Sequence, residues 1–229
     1  MRIDIISIFP KMFSAVLDES IIKRAQIKGK LNLFIHDLRD YTLDKHHKVD
    51  DRPFGGGSGM VLQVEPIYRA LAAVKKKIKG KSRVILLCPQ GKKYNQGHAK
   101  KLSKCTNLIF ICGHYEGIDE RVRLHLADEE ISIGDYVLTG GELAAMVVVD
   151  SLVRLIPGVL GDKNSLNFES FEGNLLEYPQ YSRPAQFKNW RVPEVLVSGA
   201  HHKIESWRRV QSLKRTGARR PDLLQKNKG

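Results

Sequence analysis

Two glycine-punctuated segments, Gly113-His-Tyr-Glu-Gly-Ile-Asp-Glu-Arg121 and Ser132-Ile-Gly-Asp-Tyr-Val-Leu-Thr-Gly-Gly-Glu-Leu143, stand close behind Leu87-Cys-Pro-Gln-Gly91, each directly after an apolar, strand-like run. Three loops at the ends of neighbouring strands can aim backbone N–H and C=O groups at one small ligand, and glycine lets the main chain come close. The chemistry this suggests is a cofactor cradle. Each loop also has a plain structural reading. Glu116, Asp119 and Glu120 suit the positive end of a helix dipole, and Thr139 or a neighbouring glycine would serve as an N-cap. A fourth loop, Asp50-Asp-Arg-Pro-Phe-Gly-Gly-Gly-Ser-Gly-Met60, lacks both the G-K-[ST] ending and the G-x-G-x-x-G spacing of nucleotide loops, which argues against a nucleoside triphosphate. Four glycines in five residues, Gly55 to Gly59, are costly in chain entropy and read as a lid over a substrate. Arg52, Gly57 and Gly59 are its candidate substrate contacts.

The elements that must position these loops follow from periodicity. Arg2 to Phe9 reads as a strand, Pro10 to about Gln26 as a helical stretch and Asn32 to Asp37 as a strand. Tyr41 to Met60 reads as loop, Val64 to Ile78 as helix, Arg83 to Cys88 as strand, Asn95 to Ser103 as helix and Asn107 to Cys112 as strand. Strand and helix in alternation predict an α/β fold, a parallel sheet with helices on both faces. Gly141 to Ile156, apolar on nearly all sides, predicts a buried helix. Its polar exceptions, Asp150 and Arg154, stand four apart, the spacing of an intrahelical ion pair. Gly161 to Gly173 has the composition of a flexible linker. Val192 to Ser198, Ala200 to Arg215 and Pro221 to Lys226 then read as three helices of a small basic domain. On the second of them Ile204, Trp207, Val210 and Leu213 are expected to pack inward.

The 229 residues, 42% hydrophobic and 28% charged, suit a folded chain with one substantial core and a smaller second unit. No apolar run approaches the ~20 residues that span a bilayer, and the first residues lack a signal peptide's pattern, so a cytoplasmic protein with no membrane partner is expected. Cys88, Cys105 and Cys112 form no C-x-x-C pair, and the eight histidines show no H-E-x-x-H spacing; no metal site is assigned. The net charge is +13, and from Tyr181 to Gly229 twelve Lys/Arg stand against three Asp/Glu. Such a basic tail suits a polyanion, because each neutralised phosphate releases counterions, and equally suits a solvated surface.

The loops named above, with Tyr178-Pro-Gln-Tyr-Ser-Arg-Pro184, Val195-Leu-Val-Ser-Gly-Ala-His-His202 and Arg208-Arg-Val-Gln-Ser-Leu-Lys-Arg-Thr216, resemble the bacterial tRNA (guanine-N1)-methyltransferases that modify the guanosine 3′ of the anticodon, members of the SPOUT class. The resemblance covers essentially the whole chain. It implies a knotted α/β cofactor-binding and catalytic domain over 1–160 that carries a C-terminal trefoil knot, a linker over 161–173 and an all-helical tRNA-binding domain over 174–229. It implies S-adenosylmethionine, held by Leu87, Pro89, Gly113, Tyr115, Glu116, Ile133, Gly134, Asp135, Tyr136, Val137, Leu138, Gly140 and Gly141. A homodimer with the active site at its interface is implied too, Glu177 reaching the partner's cofactor. Arg154 matches the family's catalytic arginine, and Glu169 stands where the family has its aspartate base. Lys203, Arg208, Arg209, Lys214 and Arg215 would hold the anticodon stem-loop. A dependence on Mg²⁺ is implied by resemblance alone. The alternatives are a non-catalytic RNA-binding SPOUT protein and a SPOUT methyltransferase with another RNA target.

Overall fold

The computed structural model describes residues 1–161 and 165–225, so linker residues 162–164 and the expected last helical residue, Lys226, lie outside the described residues. The chain divides into two compact units, Met1–Gly161 and Asp162–Gly229.

The first unit is built on a parallel sheet of β1 (Arg2–Ser7), β2 (Asn32–Asp37), β5 (Arg83–Lys93), β6 (Asn107–Cys112) and β7 (Glu129–Ser132), in the order β2-β1-β6-β5-β7. A short antiparallel pair, β3 (Asp50–Asp51) with β4 (Val61–Leu62), brackets the glycine-rich loop. The central strands are near-continuous apolar runs because helices cover both of their faces. On one face α1 (Ser14–Leu17), α2 (Ser20–Ile27), α4 (Gln96–Leu102) and α6 (Glu142–Val153) bury Leu17, Ile22, Leu102 and Val149 against Ile3, Ile5 and Phe110. On the other, α3 (Val64–Lys76) and α5 (Glu120–His125) bury Ile67, Leu71 and Val122 against Ile6, Ile109 and Ile111.

Several expected elements end elsewhere. The stretch from Pro10 breaks into a 3-10 turn, Pro10–Met12, and the two helices α1 and α2. Glu19 is extended and Ser20 lies at φ 51°, which turns the chain between the buried Leu17 and Ile22. β5 does not stop at Cys88; it pairs with β7 again after a register shift between Leu87 and Lys92, and the residues between them bulge out of the ladder. α6 is not buried all round. Ala145, Val148, Val149 and Leu152 are enclosed, while Leu143 and Val147, one turn apart, are each 48% exposed.

One buried charge cluster stiffens the sheet. Asp4 on β1, 0% exposed, accepts from Arg2 Nε at 2.7 Å and sits 2.8 Å from His36 Nε2. Burial alone would push the Asp4 carboxyl up, but the hydrogen bonds from His36 and Arg2 outweigh it and hold the group below its ordinary value.

The second unit has a thin core. It is not all-helical as expected: a β-hairpin, β8 (Gln186–Phe187) with β9 (Trp190–Arg191), precedes α7 (Glu194–Val197), α8 (His201–Arg219) and α9 (Pro221–Gln225). The inward face of α8 is only partly the expected one: Ile204 and Trp207 are half-buried, but Ser212 and Thr216 are buried while Val210 is 57% and Leu213 44% exposed. The reason is the extended segment beside it. Thr216 Oγ1 accepts from Leu176 N at 2.9 Å and donates to Ser212 O at 2.7 Å, so the helix turns its hydroxyl face toward Leu175–Tyr178.

Candidate active site

The three loops meet at the C-terminal edge of the sheet around a cavity of about 290 Å³. Leu87 and Pro89 line it from the β5 bulge, Gly113, Tyr115 and Glu116 from the loop after β6, and Ile133, Gly134, Tyr136, Val137, Leu138, Gly140 and Gly141 from the loop after β7. Asp135 is the exception among the cradle candidates of this unit, since its exposed carboxylate accepts from Lys93 Nζ at 2.6 Å. The two longer loops cross backbone to backbone, Gly141 N donating to Gly113 O at 2.8 Å, and His114 and Gly140 form an antiparallel bridge. A Cβ on Gly141 would stand 2.8 Å from Cys112 Cα and 3.0 Å from Gly113 N, main-chain atoms that cannot swing aside.

Beneath the crossing lies a carboxylate that motif reading passed over. Glu142, 1% exposed at the start of α6, accepts from Ser7 Oγ at 2.6 Å, and its other oxygen is 4.0 Å from His114 Nδ1. The His114 ring packs edge-on against Phe9 and Tyr115 at 4.9 Å each, which ties the cavity wall to the segment that follows β1. No periodicity signals Glu142, because an acid at a helix start is ordinary. At the other end of the cavity the Cys88 thiol donates to Glu130 Oε2 at 3.3 Å, and burial together with that carboxylate pushes its pKa up to about 11, leaving it a protonated wall atom at neutral pH.

The glycine-rich loop is fastened at its base to the same wall. Glu116 N donates to Met60 O at 3.1 Å, Leu62 N to Gly117 O at 3.0 Å and Asp119 N to Leu62 O at 2.9 Å. Gly59 lies against the Glu116 side chain, and Gly55, Gly56, Gly57 and Gly59 have φ of 87°, 81°, 122° and 82°, which side-chain-bearing residues adopt only under strain. Arg52 and Gly57 are exposed, and Phe54 at the tip is 99% exposed. Its signal in the sequence was available: an aromatic among glycines has no neighbour to bury it.

Arg154 caps the C-terminus of α6 in the first unit. Glu169 lies in the second, in a groove of about 770 Å³ whose walls include Tyr178, His202, Arg208 and Arg209. The Arg208 guanidinium stacks over Tyr178, 4.7 Å from the ring centroid, and its buried Nε has no hydrogen-bond partner among the described residues. Lys203, Arg209 and Lys214 are exposed, while Arg208 and Arg215 are half-buried by the rotated face of α8. Glu177 also belongs to this unit and accepts from Gln180 Nε2 at 2.7 Å. No group of three or more His, Cys, Asp or Glu among the described residues could hold a metal. Among the described residues no helix is long and apolar enough to cross a membrane.

A family model described as tRNA (Guanine-1)-methyltransferase TrmD matches residues 1–226. The chain belongs to this family. It is 56% identical over 225 residues to a tRNA (guanine-N(1)-)-methyltransferase of Anoxybacillus flavithermus, a match that spans 98% of this chain and 92% of the relative. Proteins of the same name from Dehalococcoides mccartyi and Geobacillus kaustophilus are 56% and 57% identical, over 99% and 98% of this chain and 91% of each relative. In this member of the TrmD family the cavity, the glycine-rich loop and the groove lie on a chain that its relatives match nearly end to end.

Proposed function

We propose that this chain is a tRNA (guanine-N1)-methyltransferase that takes a methyl group from S-adenosylmethionine to N1 of the guanosine 3′ of the anticodon, working in the cytoplasm as a homodimer with its cofactor loops in a trefoil knot. The observation that carries the reading is the convergence of three loops on one cavity walled by Leu87, Ile133 and Leu138 and edged by main-chain groups. Apolar walls suit a purine ring, and main-chain donors and acceptors suit its edge. The space a Cβ on Gly141 would fill, against Cys112 and Gly113, marks how closely the backbone is folded there. The residues present therefore fit the cofactor.

When bound, S-adenosylmethionine supplies a methyl carbon already activated by its sulfonium, so the protein's tasks are alignment and proton removal. Glu169 accepts the N1 proton on its carboxylate as general base. Arg154 offsets the negative charge that grows on guanine O6. In the dimer Glu169 and Glu177 serve the partner's cavity. The dimer draws support from the exposed Leu143 and Val147 on α6 and from Val137, 86% exposed. Phe54 offers a ring face on which a base of the anticodon loop stacks, a contact worth about 1–3 kcal/mol. Lys203, Arg209 and Lys214 meet phosphates, and Arg208 and Arg215 contribute from the edge of the groove. Mg²⁺ has no three-residue cluster of His, Cys, Asp or Glu to hold it among the described residues.

The test is transfer of labelled methyl to unmodified tRNA, followed by nucleoside analysis. 1-Methylguanosine at the position 3′ of the anticodon is the expected product. Methylation elsewhere would make the chain a methyltransferase with another RNA target, and saturable RNA binding without transfer would make it a non-catalytic binder.

A further inference from the structure

The other end of the sheet from the cavity is a cationic surface that the sequence scatters. In a parallel sheet every helix-to-strand connection returns to the N-terminal edge. Here those returns carry Lys28 and Lys30 before β2, then Lys75, Lys76, Lys77, Lys79 and Lys81 before β5, then Lys101 and Lys104 before β6. All nine are exposed, and none makes an ion pair among the described residues. Hydrogen bonds pin two of these connections to the starts of β1 and β6. The N-terminal ammonium donates to Lys30 O at 3.0 Å, Arg2 Nη1 to Lys77 O at 3.3 Å, and Asn107 Nδ2 to Lys79 O at 3.1 Å and Lys81 O at 3.0 Å.

The carboxylates at this edge are already engaged. Asp4 is buried between Arg2 and His36, Asp128 accepts from Val84 N at 2.7 Å, and Glu129 faces His98 and Arg83. The ordinary explanation of lysines at helix ends is complementing the dipole. Three helix C-termini carry only about half a negative charge each, roughly 1.5 in all. Nine lysines and an amino terminus far exceed that. Apolar anchoring is sparse, with Ile27, 77% exposed, as the large hydrophobic residue bared on these connections, so a protein or membrane partner finds little to bury. Neighbouring strands are ~4.8 Å apart, which sets the four adjacent strand starts within roughly 14 Å, a width that faces several phosphates. The exit of α6 reaches this edge too: Gly158, four residues after Arg154, lies beside the Lys30 side chain.

We infer that this edge is a second RNA-backbone surface, sequence-independent and separate from the basic helices of the second unit, which holds phosphates of the substrate tRNA. The choice of RNA rests on the methyltransferase reading above. The test uses full-length protein in which Lys76→Gln, Lys77→Gln, Lys79→Gln and Lys81→Gln are combined; the main-chain carbonyls of Lys77, Lys79 and Lys81 accept their hydrogen bonds whatever the side chain, so these survive the change. Fluorescence anisotropy with unmodified tRNA should show affinity reduced on the order of tenfold at low salt and a salt slope shallower by roughly two. Turnover at saturating tRNA should be unchanged while KM for tRNA rises by a similar factor. Unchanged affinity overturns the inference, as does an affinity loss with the salt slope intact. Loss confined to binding of vesicles rich in anionic phospholipid also overturns it and assigns the surface to a membrane. If the unaltered protein binds tRNA but transfers no methyl group, the methyltransferase reading fails while the anisotropy comparison still decides the surface.

Discussion

The cavity of the first unit and the groove of the second are built by opposite means. The cavity is a backbone object: Gly113, Gly140 and Gly141 cross at main-chain hydrogen-bond distance, and a buried Ser7–Glu142 contact supports the crossing from below. The groove is a side-chain object, framed by Glu169, Tyr178, Arg208 and Arg209 over a core whose buried members include Ser212, Thr216 and Leu223. A site made of backbone tolerates changes of side chain and fails on an added Cβ. A site made of side chains over a thin core behaves the other way round.

Four outcomes would break or sharpen that contrast. Glu169→Gln should lower the single-turnover rate of methyl transfer about 10²–10⁴-fold while calorimetric affinity for S-adenosylmethionine stays near normal; a near-normal rate would remove Glu169 from the mechanism. Gly141→Val should instead act on cofactor binding itself. Its side chain meets the Cys112 and Gly113 backbone, so cofactor binding should vanish in calorimetry and thermal unfolding should report a loss of about 1–3 kcal/mol, whereas wild-type-like binding would contradict the backbone account.

Arg208→Met should have a smaller effect. It keeps most of the packing over Tyr178 and removes the charge, so stability should fall by about 0.5–1 kcal/mol and the salt slope of RNA binding by roughly one; cofactor affinity should not move. The last outcome concerns acid. Asp4 is held below the ordinary carboxyl pKa of about 3.9, so the folded state binds fewer protons than the unfolded chain across that interval. Its contribution is complete above about 3.9 and is lost as pH falls through the lower folded value. Acid unfolding followed by hydrogen exchange should therefore show β1 and β2 losing protection in that range, and Asp4→Asn should flatten that dependence.

What could be read before the fold was known follows the range of the forces involved. β2 and β6 run over the residues that alternation and apolar runs predict, because both patterns are local: β6 is buried along its whole length, and β2, at the sheet edge, alternates exposed and half-buried positions. The cavity loops were legible for a similar reason, glycine directly after an apolar run. The continuation of β5 to Lys93 was not, since Pro89 and Gly91 look like terminators and only pairing with β7 extends the strand. The α8 face was legible only at Ile204 and Trp207, because farther along the helix the partner is the extended segment whose Leu176 N–H donates to Thr216 Oγ1, and Val210 and Leu213 stay outside.

Charge shows the same division. Composition places most of the net positive charge in the C-terminal quarter, and that much is arithmetic on the residues. The nine edge lysines, scattered between Lys28 and Lys104, are diluted by acids along the chain and become one surface only when parallel strands return their connections to a single edge. The sequence by itself determined β1, β2, β6 and the start of β5, the glycine loops and the family, because these rest on local pattern. The tertiary structure alone decided which groups meet, from Glu142 under the loop crossing to the lysines at the far edge, because contacts between distant residues are set by topology and packing rather than by spacing along the chain.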